Sequence, residues 1–164
     1  EDYHYLKYAQ PVGENLKYLA YANNRPLACL GGMSAPWYIE CRDAYIGWSK
    51  EERERNLQFI AYNTRYLIVP WVKVKNFASF LLGLIAKRIS NDWQRMYHHP
   101  IHYLETFIDI ERGFKGSCYK AANWQYLGKT KGRGRLSTSS RKIESVKAVS
   151  GYPLRKEFRE ILCR

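Results

Sequence analysis

Acids are the scarce residues of this chain. Across 164 residues, 15 Asp plus Glu face 27 Lys plus Arg, a formal net charge of +12. That shortage is a statement about partners: phosphate polyanions release counterions when basic side chains replace them, so the balance favours nucleic acid. Membrane is disfavoured, because no basic amphipathic helix with a lipid-facing apolar stripe stands out. Close-spaced cysteines are absent too. Cys29, Cys41, Cys118 and Cys163 form no Cys-x-x-Cys, which leaves no motif for a zinc knuckle or a thioredoxin-type site. A core of this size needs no disulfide framework, and a reducing cytoplasm is the expected compartment. The longest apolar candidate, Phe77 to Ile85, is too short to cross a bilayer, and no signal-peptide pattern or internal repeat is visible. The chain opens on Glu1 rather than Met, as expected of a piece of something longer.

What is present is the composition of one folded domain, residues 1–164, with 46% apolar residues and an aromatic share of 15% that rests on 14 Tyr and 5 Trp. Leu16 to Tyr21 and Leu27 to Gly32 read as a β-hairpin about the turn chemistry of Asn23-Asn24-Arg25-Pro26. Asp43 to Trp48 reads as a third strand. Ser49-Lys50-Glu51-Glu52 is a capping box, opening a helix with Leu57, Ile60 and Ala61 on its inner face. Tyr66 to Val69 has the continuous apolar character of a central strand. Asn76 is the expected N-cap of the next helix, whose Phe77, Phe80, Leu81, Leu84, Ile85 and Ile89 recur at helical spacing; Ser90-Asn91-Asp92 is expected to break it. A strand over Ile101 to Asp109 and a closing helix over Leu154 to Leu162 complete an α/β (α+β) domain with a mixed sheet.

Three groups of side chains invite chemistry. Beyond Gly128 the chain becomes basic and glycine-rich. Lys129, Lys131, Arg133 and Arg135 alternate with small residues, which in an extended chain sets four charges along one side, suited to tracking a phosphate backbone. Arg141 and Lys142 extend the set. Glu105 and Asp109, four apart on one strand, share a face, with Glu111 close behind. Paired carboxylates can hold a divalent metal, but the plainer reading is one acid satisfied by a basic residue and the other capping a loop. His98, His99 and His102 cluster around Pro100, which denies them the regular helix that a two-histidine zinc motif needs, so no metal site is expected.

Two resemblances add to this. Arg42 to Ser49, Glu52 to Leu57, Arg65 to Val72, Leu104 to Asp109, Gly116 to Trp124 and Gly128 to Arg135 resemble the DruA family of Druantia anti-phage proteins over nearly the whole chain. That resemblance implies a bacterial defence or mobile-element role, with a helicase-like subunit among the possible partners, and specifies no reaction. More loosely, strand, helix, strand and small-residue segment follow in the order of the Gcn5-related N-acetyltransferase fold. That likeness implies acyl-CoA, with Lys73, Lys75 and Asn76 near its pyrophosphate. Two departures count against it. The connection Pro70 to Asn76 has no glycine to let phosphate approach, and Trp124 stands where those enzymes place an acidic tyrosine; Tyr119 or Tyr126 would have to substitute. Glu105 and Asn123 are the candidate polar groups for a cleft between the core strands, and Glu105, Tyr119 and Asn123 the candidate catalytic residues. The expectation is therefore a defence component that contacts nucleic acid, most readily DNA, and needs no cofactor. The alternatives are an N-acyltransferase-like enzyme and a non-catalytic interaction subunit.

Overall fold

The computed structural model describes residues 11–132 and 145–164. A hairpin opens the fold: β1 (Asn15–Ala22) and β2 (Arg25–Ser34) pair antiparallel about Asn23 and Asn24, both at positive φ (49° and 60°), the two-residue turn whose twist suits a hairpin. Then comes α1 (Glu40–Ile46), where a strand was expected. Its period is helical because Arg42 and Ile46, four apart, are the two residues it buries, and Gly47 closes it in the left-handed conformation (φ 87°). The capping box is present: Ser49 accepts from the Glu52 amide and the Glu52 carboxylate accepts from the Ser49 amide, starting α2 (Lys50–Asn56).

This helix is shorter than the sequence suggested. Leu57–Phe59 form one tight turn, and Ile60 and Ala61 belong to β3 (Ile60–Ile68), where they face opposite layers of the core. α3 (Phe77–Tyr97) runs unbroken through Ser90-Asn91-Asp92. Those polar residues do not end it because their side chains are engaged elsewhere than the local backbone: Ser90 accepts from the Ile101 amide at 3.1 Å, and Asp92 takes Arg88 one turn back on the same helix and the Tyr18 hydroxyl of β1. Asn76 does stand at its N-cap, yet in left-handed conformation and with no side-chain cap bond.

β4 (Tyr103–Asp109), α4 (Ser117–Ala121), β5 (Gln125–Lys129), β6 (Lys147–Pro153) and α5 (Phe158–Leu162) follow. β6 was not foreseen. It occupies the stretch just before the expected closing helix, which therefore starts at Phe158 rather than Leu154. The six strands of the described residues form one mixed sheet in the order β1-β2-β3-β4-β6-β5, and among them only β3 and β4 pair parallel. One core layer, under α3, gathers Ala61, Ile89, Trp93, Ile101, Leu104 and Trp124; the other, under the short helices, gathers Ile46, Trp48, Ile60, Tyr103, Phe158 and Leu162. No helix among the described residues is long and apolar enough to cross a membrane.

Candidate functional site

β3 and β4 stay together for only four residue pairs, from Ile60–Tyr103 to Asn63–Thr106. The cause is local. The β2–β3 register shifts between Gly31 and Gly32, so Thr64 is an extra residue that bends β3, and the bend falls where the β3–β4 ladder ends. Beyond it the strands splay around a cleft of about 240 Å³, closed by α4 and the loop before it. Asn63, Arg65, Tyr66, Asp109, Cys118 and Tyr119 are among its walls.

Two hydrogen bonds set those walls. The Asn63 amide nitrogen donates to the Tyr119 hydroxyl at 2.7 Å, which leaves the buried Asn63 Oδ1 without a partner. The Tyr66 hydroxyl donates to the Ala78 carbonyl at 2.6 Å and ties the cleft to the first turn of α3. Burial pushes the Tyr66 phenol and the Cys118 thiol above their ordinary pKa values, so both stay protonated near neutrality. Of the tyrosines proposed as stand-ins for the acetyltransferase acid, Tyr119 lies in the cleft, whereas Tyr126 is exposed on the edge strand β5. Trp124 is core, stacked on Tyr152 at 5.8 Å and edge-on to Tyr119 at 5.1 Å.

Glu105 and Asn123 do not line the cleft. Glu105 sits where β4 is still paired with β3 and turns to α1. Its Oε1 accepts from Arg42 Nη1 at 3.2 Å, both side chains are fully buried, and Oε2 has no partner among the described residues. Burial pushes the Glu105 carboxyl up to about 7 despite Arg42. Arg42 also holds Asp43 at 2.8 Å, donates to the Pro36 and Trp37 carbonyls and lies over the Trp48 ring; Asp43 in turn holds Arg53 at 2.9 Å. The plainer sequence reading, a basic partner for one acid of the Glu105 and Asp109 pair, matches this arrangement; the identity of that partner was missed, its signal being an arginine at helical spacing from Ile46. Asn123 is a turn residue (φ 63°) between α4 and β5.

The remaining acids and histidines have separate engagements. Asp109 caps its own turn through the Arg112 amide, pairs with the Arg112 side chain at 3.3 Å and accepts from Ser145. Glu111 accepts from the Val146 amide. His98 ends α3, His99 meets Glu14 at 2.9 Å, and His102 packs on Phe59, where burial pulls its pKa down.

Of the basic candidates, Lys129 is exposed at the end of β5 and Lys131 pairs with Glu40 at 2.7 Å, while Arg133, Arg135, Arg141 and Lys142 lie outside the described residues. Lys73, Lys75 and Asn76 are exposed on the connection from β3 to α3. There the Phe77 amide already donates to the Val74 carbonyl at 3.3 Å, and the Phe80 amide to that of Asn76 at 3.0 Å.

Comparison with known proteins agrees with this architecture. The sequence model of the family described as Druantia protein DruA matches residues 1–162. No curated protein matches the chain in sequence. Among solved structures the fold is similar to an N-acetyltransferase from Staphylococcus aureus, with TM-score 0.51 and 13% identity over 85% of this chain and 68% of that one. It is similar to the aminoglycoside acetyltransferase AAC(6')-Ib in complex with coenzyme A, with TM-score 0.56 and 14% identity over 90% and 69%. It is also similar to a spermidine N-acetyltransferase from Vibrio cholerae, with TM-score 0.53 and 9% identity over 88% and 68%. The fold is that of the N-acetyltransferases.

Proposed function

The chain belongs to the DruA family, and on that premise we propose that it is a component of a Druantia-type bacterial anti-phage system that contacts nucleic acid through the basic stretch following β5. The observation that carries the reading is the placement of charge. β5 is an edge strand that ends on exposed Lys129, and from there to Glu144 the sequence holds Lys131, Arg133, Arg135, Arg141 and Lys142 and no acid. Lys131 is engaged by Glu40, but both partners are more than half exposed, and such a pair is weak enough to be exchanged for a phosphate. Binding should therefore weaken steeply with salt. Replacing Lys129, Arg133 and Arg135 by Glu should lower the slope of log K against log salt by about 2.7 on duplex DNA, roughly 0.9 for each phosphate that is no longer neutralised. An unchanged slope rejects this stretch as the contact.

A second reading, an N-acyltransferase-like enzyme, is favoured by the splayed cleft with the Tyr119 hydroxyl held by Asn63. The cleft suits the amide-bearing arm of an acyl-CoA. The nucleotide end does not fit. The connection Pro70 to Asn76 has no glycine, Val72, Val74 and Asn76 put Cβ atoms where backbone would have to approach diphosphate, and the Phe77 amide is already bonded to Val74. The experiment is thermal melting with acetyl-CoA. A ligand at a hundred times its Kd stabilises by about 2.7 kcal/mol, a rise of roughly 5–10 °C for a chain this long. We expect no rise; one of that size would install the enzyme reading.

A further inference from the structure

Between Glu54 and Asp92 the sequence holds no acid, while it holds Arg55, Arg65, Lys73, Lys75, Lys87 and Arg88. Three of these have other work: Arg55 donates to the Arg164 carbonyl, Arg65 to the Thr64 carbonyl, and Arg88 pairs with Asp92. Lys73, Lys75 and Lys87 are exposed, and no acid of the described residues is within ion-pair distance of them.

The same stretch exposes rings. Trp71 is 52% exposed and Phe80 is 60% exposed, with Val74 and Leu84 also open to solvent. Phe80 and Leu84 are four apart and Lys87 three further on, so they share the outward face of α3, opposite Leu81, Leu82, Ile89 and Trp93, which are buried. The connection that carries Trp71, Lys73 and Lys75 is held in place. Val69 donates to Leu27, Val72 to Val69 and Phe77 to Val74 through their backbones, and Tyr66 grips Ala78 from the cleft wall. A preformed surface loses little entropy on binding.

Exposed aromatic rings and ammonium groups in one stretch of chain, the latter with no acid of the described residues in ion-pair distance, are the ingredients of a stacking platform with phosphate contacts. We propose that the connection Pro70 to Asn76 and the outward face of α3 form a second surface for nucleic acid, specific for single strands. Bases stack on Trp71 and Phe80, and phosphates meet Lys73, Lys75 and Lys87. The polyanion charge complements this patch better than a neutral partner would, and the two rings favour unpaired bases over an apolar protein face. The inference rests on the nucleic-acid reading above but assigns the contact to a different set of residues.

The test is fluorescence anisotropy of the full chain with a labelled 20-nucleotide single strand, as DNA and as RNA, and with a blunt duplex of the same sequence. Three variants are compared: Trp71→Ala with Phe80→Ala; Lys73→Glu with Lys75→Glu and Lys87→Glu; and Lys129→Glu with Arg133→Glu and Arg135→Glu. All the altered side chains with described positions are exposed, and circular dichroism checks the fold. The ring variant should lose tenfold or more in single-strand affinity at unchanged salt slope, since a stacked base is worth about 1–3 kcal/mol. The lysine variant should lose about 2 in salt slope, roughly 0.7 for each phosphate of a single strand. Unchanged affinity in the ring variant overturns the stacking surface, as does wild-type binding no tighter to single strand than to duplex. Loss in the third variant alone also overturns it, while sparing the reading under Proposed function. If the wild-type chain binds none of these probes, both readings fall together. Loss of a co-purifying partner subunit in the lysine variant, with oligonucleotide binding intact, would reassign the patch to an acidic protein.

Discussion

Glu105 gives the fold a pH dependence that can be worked from its surroundings. It is fully buried, one carboxylate oxygen meets Arg42 at 3.2 Å, and the other meets no donor among the described residues. Desolvation therefore outweighs the guanidinium, and the carboxyl is pushed from 4.5 to about 7. In the folded chain the neutral acid is favoured, whereas the unfolded chain gives up the proton near 4.5. The stability this group contributes is fully present below pH 4.5 and is lost as the pH climbs to about 7. Carried through linkage, that rise amounts to about 3 kcal/mol, a melting-temperature change of roughly 6–12 °C for a domain of this size. Glu105→Gln keeps the shape of the neutral acid and cannot ionise. Melting curves of wild type and variant, taken from about pH 4.5 to about pH 8, should diverge by that amount in favour of the variant, other groups cancelling in the difference. Parallel curves across the range refute the argument. Arg42→Met is the opposite perturbation. It strands the buried carboxylate and should cost about 3–5 kcal/mol above neutrality, much less in acid.

Three further perturbations have expected sizes. Ser49→Ala removes the side-chain half of the capping box and should destabilise by about 1 kcal/mol in urea unfolding. Gly151→Ala places a methyl 1.8 Å from the Tyr103 hydroxyl oxygen and 2.5 Å from the ring carbon that bears it. With Tyr103 fully buried, the cost should reach or exceed the upper end of about 1–3 kcal/mol for overpacking, read from the denaturation midpoint. Lys131→Glu breaks an exposed pair with Glu40 and should cost under about 1 kcal/mol, recovered by adding Glu40→Lys.

What sequence alone revealed of the fold was whatever is encoded locally. The Asn23-Asn24 turn, the Ser49–Glu52 box and the Phe77-to-Ile89 periodicity each carry their physics within a few residues, and each stands where the pattern put it. α1 hid because a buried arginine reads as a surface residue until its carboxylate partners on Asp43 and β4 are known. Ser90 and Asp92 read as helix breakers because their partners, Ile101 and Tyr18, are distant in sequence. β6 hid behind Ser150 and Gly151, the latter glycine because the Tyr103 ring lies against it. The site was less legible than the fold. Tyr119 reaches the cleft, but the bulge at Thr64 that opens it is a property of register between two strands, which no single segment displays. Glu105 looked available for chemistry only because the helix that aims Arg42 at it reads as a strand.

Part of what makes this chain recognisable lies inside the fold, and the geometry says why. Arg42, Asp43, Trp48, Arg53 and Glu105 all lie in the strings that resemble the DruA family, and they meet in one buried network. Removing Arg42 strands the buried Glu105 carboxylate, and removing Asp43 takes away the carboxylate that Arg53 holds, both expensive faults. These five residues therefore report an architecture: they hold α1 and α2 against β4 and say nothing of what the outer surfaces touch. The exposed lysines and rings between Pro70 and Lys87 carry no comparable penalty, so their presence on a chain short of acids needs a reason outside the fold. In the reading proposed above, a polyanion supplies that reason. A nucleotide cofactor is the poorer fit in that reading, because the connection Pro70 to Asn76 carries Val72, Val74 and Asn76 and no glycine, and the Phe77 amide is already bonded to Val74.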